Sequence, residues 1–572
     1  MMKRMLLTTV ASFLFVLSAS AAGPNIIYIL ADDMGVGDVK AYNPDCKFPT
    51  PNLDRLAADG MRFTDAHSNS SVCTPTRYGI MTGRYCWRTS KKRGVTGGLS
   101  PHLINPSRET VASLLKKQGY NTACIGKWHL GMDWSLKDGT IASDKSSQNM
   151  VDLKAKIKQG PNEIGFNYFF GMPASANHSP HCFIENGYVQ GELEVLGENE
   201  KKAAGIQGKP GLVAKGFKQS EILPTFTQRT CEWVTKQVET NPDQPFFVYM
   251  PLNSPHSPIV PSAKFKGKSG LSPHGDFCME TDWAVGEVIN TVNRLGITDN
   301  TIIIFTADNG SSPMAKFELM QAQGHYPSFI YRGLKGMTWE GGHRVPFIVR
   351  WPVVVKACAV SEQLICTTDL MATIAEVNGV TLAKNVGEDS VSFLSALKGK
   401  NVSDSEKRGV VHHSDSGVFA MRSGKWKLLL DDVGGSRRSN PKDKPIIDSA
   451  DIILFDMEND ERETKNLSQK YPQVVEVMKK QLADYVNNGR STPGILGLND
   501  TGGKSWAELW PLKDYLNEVS LAEMGTKAPQ KAKNQEKKEQ TQPEEQRPTT
   551  EEVKAARKAA RKAKKANANN SK

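Results

Sequence analysis

The chain has 572 residues, with 72 Lys and Arg against 61 Asp and Glu and a formal net charge of +11, and is long enough for one large domain and a smaller one. The charge is uneven: residues 526–572 hold fourteen Lys and Arg against six Glu, a net of +8, and the first 22 residues hold two more cations, leaving a net charge of one for everything between. That distribution excludes a folded core built to bind nucleic acid, which would carry its basic residues on its own surface.

Lys3 and Arg4 precede an apolar run over residues 5–17, and Ser18-Ala19-Ser20-Ala21-Ala22 supplies small residues for cleavage. Residues 1–22 therefore read as a signal peptide, and the chain as an exported protein, periplasmic or secreted. The run is too short to span a membrane and no other stretch approaches that length, so no transmembrane span is expected. Nine cysteines, at 46, 73, 86, 124, 182, 231, 278, 358 and 366, permit disulfides in an exported chain, but the count is odd and the spacing gives no zinc pattern.

Asn25-Ile26-Ile27-Tyr28-Ile29-Leu30-Ala31 is a continuous apolar run that predicts a central strand buried on both faces. Asp32 and Asp33 follow at once. Adjacent carboxylates at the end of a buried strand repel and lose hydration, and a cation between them would relieve both. A short helix is predicted over residues 52–60. Next comes Cys73-Thr74-Pro75-Thr76-Arg77. A helix starting near Pro75 would put the cysteine at its positive end with Arg77 one turn on, a place to hold an anion. The plain alternative is a buried structural cysteine.

A helix near residues 110–119 leads to a strand over residues 121–126, with Lys127-Trp128-His129 at its end. If that end is extended, Lys127 and His129 project to one side. Residues 135–216 have weak periodicity and are expected to be an insertion of long loops holding His178 and His181. An amphipathic helix over residues 225–239 precedes the strand 245–250, and Ser254-Pro255-His256-Ser257-Pro258 stiffens its exit around one histidine. A helix over residues 276–295 leads to a second strongly apolar strand, 301–307, closed by Asp308-Asn309-Gly310. If the two apolar strands are parallel neighbours, three carboxylates and an amide oxygen meet at one sheet edge. These are hard oxygen donors, suited to calcium or magnesium rather than zinc.

A loop with His325 is followed by Lys335 and then Glu340-Gly341-Gly342-His343. A strand over residues 347–351 and a helix near 369–379 complete the large domain. From about residue 410, after His412 and His413, the pattern changes to short strands over 418–422, 426–430 and 452–457 and a helix over 471–487, a small antiparallel sheet with a packed helix. The expected division is a signal peptide to 22, a catalytic domain over 23–400, a C-terminal subdomain over 401–525 and a basic tail over 526–572. The tail is expected to be disordered and solubilising, with a nascent helix over 551–565.

With these elements in order, the sequence resembles the type I, formylglycine-dependent sulfatases of the alkaline phosphatase superfamily. The resemblance rests on the Asp32-Asp33 pair, Cys73-x-Pro75-x-Arg77, Gly126-Lys127-Trp128-His129, Pro255-His256, Asp308-Asn309-Gly310 and Lys335 before Glu340-Gly341-Gly342. Thr76 stands where many members carry serine. The resemblance implies an α/β fold, a large mixed and mostly parallel sheet flanked by helices with a smaller antiparallel C-terminal subdomain. It further implies conversion of Cys73 to Cα-formylglycine by a formylglycine-generating enzyme, and one divalent cation, calcium before magnesium, held by Asp32, Asp33, Asp308, Asn309 and the modified Cys73.

By the same resemblance Arg77 and Lys127 hold the formylglycine hydrate, His129 is the base, and His256 and Lys335 bind sulfate and support the leaving alcohol. A sulfated carbohydrate is the expected substrate, with His178, His181, His325, His343 and His412 as candidate contacts on a polar rim. Two other readings stand beside it: a phosphonate or phosphate ester hydrolase of the same superfamily, and a non-catalytic binder of sulfated glycans. The first lacks an identifiable second metal site in the sequence; the second is opposed by the completeness of the site residues.

Overall fold

The first apolar run forms the strand Asn25–Asp32, and its side chains divide between two hydrophobic cores with a period of two. Ile26, Tyr28 and Leu30 enter one core, while Ile27, Ile29 and Ala31 enter the other. A strand buried this way must lie in the middle of a sheet covered on both faces. The computed structural model describes residues 23–400, 408–431, 434, 452–500 and 507–524. The expected signal peptide, the whole of the expected basic tail and the helix expected within it lie outside the described residues.

In chain order the strands of the main sheet are β1 (Asn25–Asp32), β2 (Met61–Phe63), β3 (Asn121–Lys127), β4 (Tyr168–Met172), β5 (Ile184–Glu185), β6 (Tyr188–Val189), β7 (Phe246–Pro255), β8 (Thr301–Ala307), β9 (Phe347–Arg350) and β10 (Ala359–Ser361). They form a ten-stranded sheet in the order β10-β2-β9-β8-β1-β7-β3-β4-β5-β6. The five central strands, β8 to β4, run parallel. Antiparallel neighbours, β9 and β5, bound them on each side.

Helices α1 (Pro51–Ala58), α2 (Cys73–Thr82), α3 (Val111–Lys117), α4 (Ile222–Thr240), α5 (Pro273–Arg294) and α6 (Leu370–Val377) cover the faces. α2, α3 and α6 pack Ile80, Leu115 and Leu370 against one face. α1, α4 and α5 pack Leu56, Phe226 and Val288 against the other.

A separate antiparallel sheet takes β11 (Gly409–His413), β12 (Phe419–Ser423), β13 (Trp426–Leu429) and β14 (Ile453–Asp456) in that order. Helix α7 (Pro472–Asn487) packs on it through Val475, Met478 and Leu482, in a core that also takes Tyr85 and Trp87 from the large sheet's side. The mixed, mostly parallel sheet with a small antiparallel one is the expected architecture.

One expectation is corrected. Residues 135–216 are not a loop insertion alone, because β4, β5 and β6 extend the main sheet by three strands and Leu193–Leu196 pairs with Gly211–Ala214 as a hairpin. β4 is a largely buried run of five mostly apolar residues, but β5 and β6 have two residues each, and Tyr188 on β6 and Val195 on the hairpin are exposed, so the region carries no sustained alternating apolar signal. All nine cysteines are free thiols. Among the described residues no helix is long and apolar enough to cross a membrane.

The two sheets are fastened by a buried ionic cluster. Lys427 on β13 donates to Glu340 (3.0 Å) and to Glu463 (2.6 Å), all three fully buried. Arg422 and Arg344 both reach Asp65. Removing one partner of such a cluster strands the opposite charge in a low-dielectric interior. Lys427→Ala is therefore expected to cost about 3–5 kcal/mol of stability, read from the shift of the urea unfolding midpoint; a loss below about 1 kcal/mol would contradict this fastening role.

Candidate active site

The site begins with strand register. β1 and β8 pair in parallel from Asn25 opposite Thr301 to Ala31 opposite Ala307, and Asp308 N–H donates to the Ala31 carbonyl at 3.0 Å. Asp32 and Asp33 therefore leave the sheet beside Asp308 and Asn309, and all four are fully buried. The carboxyl ends of a parallel sheet are where the chain turns away and leaves a crevice.

Three cationic side chains crowd this acidic edge. Arg77, on α2, gives both Nε and an Nη to one oxygen of Asp308, at 3.0 and 2.8 Å, and its other Nη to the Lys127 carbonyl at 2.7 Å. Lys127, at the end of β3, donates to Asp32. Lys335 donates to Asp33 Oδ1 at 2.5 Å, and Asn309 Nδ2 reaches the same oxygen at 2.8 Å. Burial alone would push the Asp32 and Asp33 carboxyls up, yet Lys127 and His256 hold Asp32 far below its ordinary range, and Lys335 and His256 hold Asp33 below its own. Asp308 goes the other way, raised by burial and by the Asp32 charge beside it.

The cations do not use every acceptor. Asp32 Oδ1, Asp33 Oδ2 and Asn309 Oδ1 are buried with no hydrogen-bond partner. Buried acceptors are ordinarily satisfied, and three orphaned hard oxygens from one sheet edge make a donor set fitted to a calcium- or magnesium-like cation. Asp308, whose proton affinity is raised in the same place, completes it.

Cys73 is the first residue of α2, fully buried beside Lys127 and Lys335, and burial raises its thiol above the ordinary value. The helix begins two residues earlier than the proline predicts. Cys73, His129, His178, His256 and Lys335 line one cavity of about 570 Å³ together with Arg93, Asn177 and Asp415.

The two histidines nearest the chemistry have defined tautomers, because a carbonyl can only accept. His129 Nε2 faces the Thr96 carbonyl at 2.9 Å and so carries the proton. Its Nδ1 is then a bare acceptor, buried and without a partner. Burial, Lys127 and His178 hold this imidazole neutral well below its usual range, and its backbone lies in the left-handed region at φ 59°, a conformation non-glycine residues keep where the surroundings impose it. His256 Nδ1 donates to the Ser257 carbonyl, which leaves Nε2 facing Asp33 at 3.7 Å. Burial and Lys335 lower His256 to about 4.

The small antiparallel sheet reaches into the same place. The turn after β11 receives Ser71 N–H on the His413 carbonyl (3.0 Å) and Gly94 N–H on the Asp415 carbonyl (2.9 Å), and gives Asp415 N–H to Gly336 (3.0 Å). These three partners belong to the loops that carry Cys73, Thr96 and Lys335. The sequence gives no hint of this clasp, since Ser414-Asp415-Ser416-Gly417 reads only as a turn.

Of the five histidines expected on a polar rim, His178 alone lines the cavity. The other four are corrected to interior positions. His181 is buried with Nε2 on the Lys209 carbonyl at 2.9 Å. His325 is buried against Asp38 at 2.8 Å, with His274 on the other oxygen of that carboxylate at 3.0 Å. His343 and His412 stack with ring centres 3.8 Å apart inside the ionic cluster, where His343 also meets His67. Histidine is tolerated inside when neutral and partnered, so its presence in a loop does not make a rim. Arg93, Asn177 and Asp415 were not singled out from sequence because single polar loop residues carry no pattern.

The sequence profile of the sulfatase family matches residues 24–380. The chain belongs to the sulfatase family. N-acetylgalactosamine-6-O-sulfatase of Bacteroides thetaiotaomicron is 33% identical over 503 residues, covering 80% of this chain and 92% of that protein. Human arylsulfatase A is 32% identical over 485 residues, covering 81% and 87%. A solved B. thetaiotaomicron structure, described in connection with the metabolism of multiple glycosaminoglycans, has 32% identity and a TM-score of 0.69 and covers 81% of this chain and 98% of its own. The sulfatase PsFucS1 from Pseudoalteromonas sp. has 26% identity and a TM-score of 0.59, covering 81% and 90%.

This sulfatase is a type I member, and its activity is hydrolysis of a sulfuric ester. If the orphaned oxygens hold a divalent cation, calcium at a hundred times its dissociation constant will stabilise the fold by about 2.7 kcal/mol. Thermal unfolding with calcium and after chelation checks this. Asp33→Asn is expected to abolish the calcium-dependent part, and a calcium response retained in that variant would place the ion elsewhere.

Proposed function

We propose that this sulfatase is an exported hydrolase of sulfate monoesters on carbohydrate, acting through Cys73 converted to Cα-formylglycine and one divalent cation, calcium in the first instance, held by Asp32, Asp33, Asp308 and Asn309. The observation that carries the reading is that three orphaned buried oxygens, with Lys127 on Asp32 and Lys335 on Asp33, sit against a cavity lined by Cys73, Lys335 and two single-tautomer histidines. A sulfated carbohydrate is supported by the B. thetaiotaomicron relative, which acts on N-acetylgalactosamine 6-sulfate by its name. Export rests on the signal-like residues 1–22.

The buried thiol of Cys73 is a poor nucleophile as it stands, because desolvation keeps it protonated. Its hydrated aldehyde would supply two hydroxyls, one to attack sulfur and one to drive release of sulfate and restore the aldehyde. The cation would polarise the sulfate oxygens and favour the ionised form of the attacking hydroxyl.

The remaining chemistry belongs to side chains of the chain itself. Arg77 is locked by Asp308 and the Lys127 carbonyl, so its charge is fixed in place before substrate arrives. Lys335 presents an ammonium to the incoming sulfate. His256 rests neutral with its Nδ1 proton committed to Ser257, and the negative charge of an arriving sulfate raises the proton affinity of Nε2. That nitrogen can then take a proton and give it to the leaving alcohol. His129 Nδ1 is the free acceptor, positioned to take the proton from the second hydroxyl as sulfate departs.

Peptide mass spectrometry and kinetics test the proposal together. Protein from a host able to make formylglycine is expected to carry the aldehyde at residue 73 and to desulfate a panel of sulfated sugars, with Cys73→Ser lowering kcat/KM by at least about 10³. An unmodified thiol in a fully active enzyme would overturn it, and a clear preference for matched phosphate esters would favour the phosphohydrolase reading.

The pH profile has a definite sign. A base whose conjugate acid is disfavoured by burial and by neighbouring cations stays unprotonated as pH falls through the ordinary imidazole range, about 6.5. Activity is expected to persist below that value, with the acid limb further down. His129→Ala is expected to lower kcat by about 10²–10⁴, and an unchanged kcat would remove His129 from the base role.

A further inference from the structure

A second group of metal-binding side chains lies outside the catalytic cavity. His274 and Cys278 stand four residues apart on α5, so they share one helix face, the spacing by which helices present paired metal ligands. Asp38, five residues beyond Asp33, meets them from the segment after β1. His274 Nε2 is 3.0 Å from Asp38 Oδ2 and 3.4 Å from Cys278 Sγ, and the three ligand atoms all lie within 4.8 Å of one another. All three residues are buried.

Hydrogen bonding leaves this cluster unsettled. Nε2 of a neutral imidazole holds either one proton or one lone pair. With the proton, it serves the carboxylate and turns an N–H toward the thiol. Without it, a bare nitrogen and a carboxylate oxygen face each other at 3.0 Å. A shared cation satisfies both contacts at once. Zinc held tetrahedrally keeps nitrogen, oxygen and sulfur ligands roughly 3.4–3.6 Å apart, so the thiol is already at that spacing and the carboxylate needs to open by a few tenths of an ångström.

The donors select the ion. Imidazole and thiolate are softer ligands that favour zinc over calcium or magnesium. One carboxylate and one thiolate balance a divalent charge, so the bound ion adds no net charge to the interior. The carboxylate is already oriented, with His325 Nε2 on Oδ1 at 2.8 Å and the Gly35 N–H donating to Oδ2 at 3.0 Å, as outer-shell partners of a metal ligand do. The buried cluster of His67, His343 and His412 lacks this balance, because the Lys427 ammonium lies 3.0 Å from His343 Nε2 and repels a cation.

We propose that Asp38, His274 and Cys278 form a second metal site, for zinc or a zinc-like divalent ion, distinct from the oxygen-lined edge. Binding displaces the Cys278 thiol proton, and the His274 proton resides on Nδ1 so that Nε2 donates its lone pair. Three protein ligands leave the fourth tetrahedral position to water. The ion ties α5 to the segment that follows Asp32 and Asp33, a structural role that does not depend on which ester the enzyme takes.

Metal content and anomalous diffraction test the site. Full-length protein made in zinc-supplemented medium and dialysed is expected to keep about one zinc ion per chain. Asp33→Asn is expected to keep the same amount, since that substitution acts on the oxygen-lined edge. Loss of an outer-shell partner alone weakens metal binding roughly 10–100-fold, so Cys278→Ser is expected to lower retained zinc at least about tenfold. Cobalt in place of zinc is expected to give a thiolate-to-cobalt charge-transfer band that survives Cys73→Ser and disappears in Cys278→Ser. Diffraction from wild-type crystals at the zinc edge is expected to show an anomalous peak between Asp38, His274 and Cys278, a readout that stands even if Cys278→Ser fails to fold. Protein without bound zinc, zinc content unmoved by Cys278→Ser in folded protein, or a map with no peak at the cluster would overturn the site.

Discussion

Three carboxylates and an amide oxygen are forced together at one sheet edge by the parallel pairing of β1 and β8. The backbone fixes the arrangement, since register places Ala31 opposite Ala307 and the acids can only follow. Isolated in the interior they would be untenable. The surrounding structure is organised as compensation, with Arg77, Lys127 and Lys335 each committed to a different carboxylate. Compensation remains incomplete, and the unpaired oxygens point to the divalent cation of the proposed mechanism. Of these cations Lys335 also lines the cavity, where an anionic ester would meet it.

A second constraint comes from the small antiparallel sheet. Its turn over His413–Asp415 bonds to the loops of Cys73, Thr96 and Lys335 through three backbone hydrogen bonds, with the Ser70 and Ser71 hydroxyls adding to the His413 carbonyl. Backbone clasps of this kind set position without depending on side-chain identity, and positions at an active site matter to fractions of an ångström. The ionic cluster of Lys427, Glu340 and Glu463 lies behind the clasp and holds the two sheets in one relation. The C-terminal sheet is in this sense part of the catalytic cavity and not an appendage to it, and Asp415 lines that cavity directly.

Much of this was legible in the sequence because the signals were long or repeated. The apolar runs before Asp32-Asp33 and before Asp308-Asn309 predicted two buried parallel strands, and their shared ending predicted the acidic edge. The helix α4 followed from amphipathic spacing, and helices close to α5 and α7 were expected as well. The failures have a common cause: information that exists only between distant segments. β5 and β6 are two residues each and β4 is a five-residue apolar run inside a stretch without periodicity, yet they extend the sheet because β3 offers β4 an edge. His325 pairs with Asp38 across the fold, and His343 stacks on His412 from the other sheet. Neither contact leaves a mark on local sequence, so all three histidines looked like loop residues available to substrate. The clasp at Asp415 was invisible for the same reason.

The central claim is that the acidic edge holds one divalent cation opposite a converted Cys73. X-ray diffraction from protein made in a host that generates formylglycine tests it most directly. The account predicts one ion with oxygens of Asp32, Asp33, Asp308 and Asn309 about 2.3–2.6 Å away, and a hydrated aldehyde at residue 73 facing it. Density for an intact thiol with no ion among the four residues, from an enzyme that is active in the same crystals, would contradict it.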